Sequence, residues 1–169
     1  VVAGDCPLDD YEVVVWTLGE ESTDDETFDP VEQTRVQGFV AAGGALLVSG
    51  AELAWDLGDR GDAVDRAFLE DVLHVTYGGD DADTFHVAFD GRPRPFLTPD
   101  RMVVRYPDVL LPAAGGEAFL AYLGGLGGVA GVRSTGADRV VVLGFPIESL
   151  AARDDRADLL AAILDHLQG

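Results

Sequence analysis

Gly43-Gly44-Ala45-Leu46-Leu47-Val48-Ser49-Gly50 is the stretch that decides how this chain folds. Its apolar residues run on without alternation, the pattern of a strand covered on both faces rather than one half open to water. Two glycines end whatever precedes the strand, and residues 50–57 turn at once into a short helical stretch. Upstream, residues 11–18 (YEVVVWTL) form another continuous β-branched and aromatic run. Between the two, Asp29-Pro30-Val31-Glu32 supplies an N-cap, a proline at the first helical position and an acid three residues past the cap. Val36, Phe39 and Val40 then mark one apolar face. Far downstream, residues 139–143 (RVVVL) read as a third buried strand. Leu159, Leu160, Ile163, Leu164 and Leu167 form the core stripe of a last helix that Asp154 or Asp155 can cap.

Buried strands alternating with amphipathic helices predict an α/β domain built on a mostly parallel sheet with helices on both faces. Asp62 can cap a further helix through residue 73, with Val64, Phe68 and Val72 at helical spacing. Short strands over 74–77, 85–89 and 102–105, split by Asp- and Pro-rich turns, predict a β-rich insertion across 74–108. Residues 118–123 and 129–133 flank Gly124-Gly125-Leu126-Gly127-Gly128 as the arms of a hairpin. In parallel sheets ligands bind beyond the carboxyl ends of the strands, which here means residues 18–22, 49–52 and 144–148.

The chain has 169 residues, enough for one domain, and 1–169 is read as a single unit. Val1 follows neither a start methionine nor a charged-then-apolar leader, so the expectation is a piece of something longer. Thirty-one acids against 11 bases give a formal charge of −20, which repels phosphate backbones and anionic lipid, so neither nucleic acid nor membrane is expected as a partner. Only Arg92, Arg94, Arg101 and Arg105 come near to a basic patch. The bases are all arginine and the acids mostly aspartate, a usage compatible with a high-GC genome or a salty habitat. Cys6 is the single cysteine, which excludes an intrachain disulfide and a cysteine-rich metal site. Neither GxGxxG nor GxxxxGK[ST] occurs, which disfavours nucleotide binding by either device.

The segments at 13–20, 43–50 and 141–148 resemble the class I glutamine amidotransferase-like fold. WxxGEESxxDETF at Trp16 to Phe28 and SGAExxWD at Ser49 to Asp56 resemble, more narrowly, a domain of large secreted bacterial proteins annotated beside peptidoglycan-amidase or polysaccharide-lyase modules. The resemblance implies a flavodoxin-like three-layer sandwich that lacks the family's first strand and helix. It also implies an extracellular or periplasmic setting, with other domains of the same parent chain as partners. An amidotransferase carries a cysteine at a tight strand-to-helix elbow and a following His-Pro-Glu. By that correspondence Ser49 stands at the nucleophile position, proline at the imidazole position (Pro146) and Glu148 at the carboxylate. A serine without a base is a poor nucleophile near neutral pH, so glutaminase activity is not expected.

Two uses of the strand ends remain. One is a binding crevice lined by Glu20, Glu21, Ser22, Ser49, Glu52, Trp55, Asp56 and Glu148, taking a glycan, a peptide or a neighbouring domain, with Trp55 able to stack on a sugar ring. The other is a hydrolase of amide or glycoside bonds, with catalytic Ser49, Glu52 and Glu148. No cofactor motif is present, although the carboxylates of Glu20, Glu21 and Glu52 are of the hard-oxygen type that holds Ca²⁺ or Mg²⁺. The plain reading stands beside both: in so acidic a chain most such loops are solvated or cap helices, and Ser49 can be a small residue that lets the chain turn. His74, His86 and His166 do not map to the strand ends.

Overall fold

The computed structural model describes residues 7–19, 26–97 and 104–169. Asp29 caps α1 (Pro30–Ala41) with a complete capping box: its carboxylate accepts from Val31 N and Glu32 N, and Glu32 reaches back to Asp29 N. The helix leads from β1 (Val13–Gly19) to β2 (Ala45–Gly50), which lie parallel. A π-helical turn follows at Trp55–Arg60, then α2 (Ala63–Ala67), capped by Asp62 and continued as a second π turn over Phe68–Val72.

From there the chain is strand-rich. β3 (Val75–Gly79), β4 (His86–Phe89), β5 (Arg92–Pro95), β6 (Val109–Pro112), β7 (Gly116–Tyr122) and β8 (Val129–Ser134) come before β9 (Arg139–Leu143) and α3 (Arg153–Gln168). Among the described residues one sheet of nine strands results, in the order β1-β2-β9-β8-β7-β4-β5, with β6 pairing β8 and β3 pairing β6. Only β1, β2 and β9 are mutually parallel; the other pairings are antiparallel.

The expected mostly parallel flavodoxin-like sandwich is therefore corrected to a mixed, curled sheet with a few short helices. The α/β pattern at the two ends of the sequence is real but accounts for three strands. The β-rich part is no insertion at 74–108, since it runs from Val75 to Ser134 and supplies most of the sheet. Two of its strands left weak signals. β5 is Arg-Pro-Arg-Pro, and proline donates no ladder hydrogen bond, so it sits at the end of the strand order. β6 spans only four residues and ends in Pro112. The expected strand over 102–105 falls largely outside the described residues. At α3 the N-cap is Ala152 rather than Asp154 or Asp155, and Asp155 instead pairs with Arg94.

The continuous apolar runs of β2 and β9 are explained by two cores on opposite faces. Leu46, Val48, Val140 and Val142 pack with Val36, Phe39 and Val40 of α1, whereas Leu47, Val141 and Leu143 pack with Leu159, Ile163 and Leu167 of α3. Each such side chain removed from water contributes about 1.5–3 kcal/mol, which is why a period-2 strand needs both faces apolar here. β1 departs from the same expectation: it has one neighbour, and Val15 is 47% exposed. Trp16 is core in character, its ring 5.0 Å from that of Phe28.

Curling closes the second core. Leu97 N donates to Ser149 O at 2.6 Å and Ala151 N to Pro95 O at 2.8 Å, which brings the chain around β5 onto the segment that follows β9. Val87, Phe96, Leu120 and Tyr122 thereby join the α3 side of the core. β9 ends at Leu143 because the chain at Asp108 crosses Gly144. A Cβ on Gly144 would overlap the Asp108 carbonyl. Gly144→Ala is expected to cost about 1–3 kcal/mol through this overlap, read as a lower urea midpoint at unchanged m-value.

Candidate functional site

The three parallel strands point their carboxyl ends the same way, and the loops beyond them meet. Ala51 N donates to Gly19 O at 2.9 Å, which joins the exit of β1 to that of β2. Ser49 Oγ donates to Phe145 O at 3.0 Å and accepts from Ile147 N at 2.8 Å, which joins β2 to the turn after β9. Ser49 is wholly buried, and its hydroxyl is engaged as both donor and acceptor. Glu148 lies on the short 3₁₀ turn Ile147–Ser149 that this clamp holds, with its own side chain exposed.

Glu52 occupies the sharp turn between β2 and the Trp55–Arg60 segment, at φ +61°. A non-glycine residue in the left-handed region costs on the order of 1 kcal/mol and persists where its surroundings dictate it. The strained elbow residue of this strand is thus Glu52, three positions past Ser49. Beyond it Ala54 N donates to Asp108 Oδ2 at 2.6 Å and Trp55 N to Asp108 Oδ1 at 3.3 Å. Asp108 is fully buried. Burial pushes its carboxyl well above the usual range, against the two amide hydrogen bonds that pull it down, with Asp80 and Glu52 adding like charge. Burial likewise raises Asp80, with Asp81 and Asp59 nearby, and Tyr77, which faces Asp80, Asp59 and Asp108. Tyr122 Oη lies 3.1 Å from Asp108 O and 2.9 Å from Gly144 O, holding the crossing from beneath.

The structure therefore draws Ser49, Glu52 and the turn carrying Glu148 to one end of the sheet. Glu20, Glu21 and Ser22 lie outside the described residues, so of the proposed metal ligands only Glu52 is described. Among the described residues no group of three His, Cys, Asp or Glu side chains could hold a metal ion. Trp55 is half-buried, and the Arg60 guanidinium stands 5.8 Å from its ring centre, covering one face. Asp56 accepts from Thr27 N at 3.0 Å, and burial raises its carboxyl. Neither Asp108 nor Asp80 was singled out from sequence. The partners of Asp108 lie 53 and 54 residues away, so no local spacing marks it.

No imidazole serves Ser49. His74 sits between Ala114 O and Asp138 Oδ2, 3.0 Å from each, while His86 is exposed on β4. His166 lies near the end of α3, where burial and Arg133 lower its pKa. Comparison of the chain with protein-family models, curated proteins and solved structures gave no match. Among the described residues no helix is long and apolar enough to cross a membrane.

Two outcomes follow from this geometry. Ser49→Ala removes the clamp between β2 and the 145–147 turn and is expected to cost about 1–3 kcal/mol, seen as a lower midpoint of chemical unfolding. Asp108 is the opposite of a salt-bridged acid: its folded pKa lies above its unfolded value of about 3.9. The folded state then holds the proton more tightly, so stability rises as pH falls from above the raised value toward about 4. Measured as melting temperature against pH, this gain should be larger in the parent than in Asp108→Asn, which has no proton to take up.

Proposed function

We propose that the chain is a non-catalytic accessory or ligand-binding module of a larger exported protein, related to amidotransferase-like domains. Its ligand, a glycan, a peptide or a neighbouring domain, is held at the acidic strand-end crevice. The observation that carries this reading is the state of Ser49: buried, hydrogen-bonded to Phe145 O and Ile147 N, and without a histidine partner. A hydroxyl so placed holds the elbow together and has no proton acceptor through which to become a nucleophile. Glu52, half-buried on the left-handed turn after β2 and close enough to add like charge to the buried Asp108, is the residue through which the ligand would be held.

The hydrolytic alternative draws on one feature, the raised pKa of Asp108 next to Glu52, since carboxyls with separated pKa values form acid and base pairs. Against it, Asp108 has no exposure and both of its oxygens accept backbone N–H groups. A general acid has to reach the leaving group.

The test pairs binding with turnover, using glutamine, a soluble muropeptide and chitotetraose as probes. The proposal expects no hydrolysis of any of them. It also expects saturable binding of at least one, weakened about tenfold or more by Glu52→Gln, as for loss of a charge-assisted hydrogen bond. Hydrolysis abolished by Glu52→Gln would make the protein an enzyme and overturn the reading.

A further inference from the structure

The strands at the two ends of the order β1 to β5 are finished differently. β5 reads Arg92-Pro93-Arg94-Pro95, and its prolines donate no ladder hydrogen bond. Its surroundings are tied down as well: Ala151 N donates to Pro95 O at 2.8 Å, Phe96 bridges to Leu150 and Arg94 pairs with Asp155. Prolines, charges and a covering segment are the devices that blunt a sheet edge. β1, at the opposite end, reads Val13-Val14-Val15-Trp16-Thr17 before its register first shifts, with no charge and no proline. Among the described residues it pairs with β2 alone.

The backbone groups on its open side can be named. Val13 stands opposite Ala45 in register, and Ala45 N donates to Glu12 O at 3.0 Å. Alternate residues of a parallel strand bond to a given neighbour. Val14 and Trp16 therefore direct their N–H and C=O groups to β2, and those of Val13, Val15 and Thr17 point away from it in a row along the outer edge. The side chains of these same three residues share the face of the sheet that α3 packs on. Val13 is packed against that core, but the cover does not extend along the strand: Val15 is 47% exposed, and Thr17 is exposed too.

An edge of this kind takes up another strand, with main-chain hydrogen bonds holding it and the side chains beside Val15 and Thr17 selecting it. Charge decides which strand. Asp9, Asp10 and Glu12 are exposed at the entry to β1, and none of them has a salt bridge among the described residues. A second copy of the chain would bring the same acids and another formal charge of −20, which opposes self-pairing. A segment with bases at one end meets the three acids favourably. In antiparallel pairing, the stabler of the two ladders, that end is its carboxyl end.

We propose that the outer edge of β1 binds an extended β-strand segment of a partner protein, antiparallel to β1, in which arginine or lysine follows the apolar run. The edge shares no residue with the strand-end crevice, so it stands whether or not the crevice binds a ligand.

The experiment titrates the ¹⁵N-labelled protein with acetyl-Thr-Val-Thr-Val-Thr-Arg-Arg-amide and follows amide shifts and hydrogen exchange. In the free protein the amides of Val14 and Trp16 are expected to be protected and those of Val13, Val15 and Thr17 open; the peptide should bind saturably and slow exchange at those three. Glutamates in place of the peptide's two arginines should weaken binding about fivefold or more, as for two exposed ion pairs turned into repulsions. N-methylation of the peptide's three central residues keeps its side chains and charge, removes their donors and should abolish binding. Val15→Pro removes an outward N–H where an edge strand tolerates proline, and should weaken binding about tenfold or more; an unchanged melting temperature shows that the variant folds. Should it not fold, the N-methylated peptide makes the same test on the parent protein. Equal binding of the glutamate peptide, undiminished binding of the N-methylated one, or no saturable binding would each overturn the proposal. Protection of Val13, Val15 and Thr17 in the free monomer would do so too, since the edge would already be covered. Protection that grows with protein concentration alone, with a dimer mass in sedimentation, would give the edge to a second copy instead. Shifts confined to amides around Glu52 would remove the edge site while leaving the strand-end reading intact.

Discussion

The structure depends on a buried carboxyl that is kept where water cannot reach it. Asp108 takes the amides of Ala54 and Trp55 on its two oxygens, and through them fixes where the chain leaving β2 must turn. Its own backbone carbonyl lies against Gly144 and beside the Tyr122 hydroxyl, and so also fixes where β9 must stop. One residue of the antiparallel half thereby sets the exits of two strands of the parallel half. Burying an acid is unfavourable unless its oxygens are hydrogen-bonded, and Asp108 accepts two amides while burial pushes its pKa upward.

That arrangement explains the division of labour at the strand ends. Ser49 and Asp108 are wholly buried and structural: the first clamps β2 to the 145–147 turn, the second clamps the elbow to the β6 side of the sheet. On the elements those two hold in place, Glu148 is exposed and Glu52 half-buried. The polar groups inside the crossing are used by the fold, and the ones turned outward supply its surface chemistry.

The two halves of the sheet also differ in how they meet solvent. The parallel strands β2 and β9 are covered on both faces by α1 and α3. The antiparallel strands curl until β5 reaches the segment after β9, and this leaves their connecting loops on the outside. A groove between residues 81–85 and 104–107 sits on those loops, one residue before Asp108 in the chain. Within the 104–108 segment, the exposed Arg105 and Tyr106 lie between the buried Val104 and the buried Pro107-Asp108 pair.

From the sequence alone came the elements whose signals are local. The capping box at Asp29, the cap at Asp62, the unbroken apolar runs of β2 and β9 and the hairpin arms around 124–128 are each written within a few residues, because caps, turns and two-faced burial act over that distance. The Ser49-Gly50-Ala51-Glu52 exit and the 145–148 turn were legible as neighbours for the same reason: parallel strands must end on the same side. What tertiary structure decided was everything set by pairing between distant segments. Whether a short strand such as β6 joins β8 or stands apart depends on which edge is free, not on its own residues. Likewise Ser49 looks like a nucleophile or a turn residue in sequence, and only the positions of Phe145 O and Ile147 N, nearly a hundred residues on, give its hydroxyl a structural role. Asp108 among many aspartates carries no mark at all; its environment was made by chain segments that meet only once the sheet has curled.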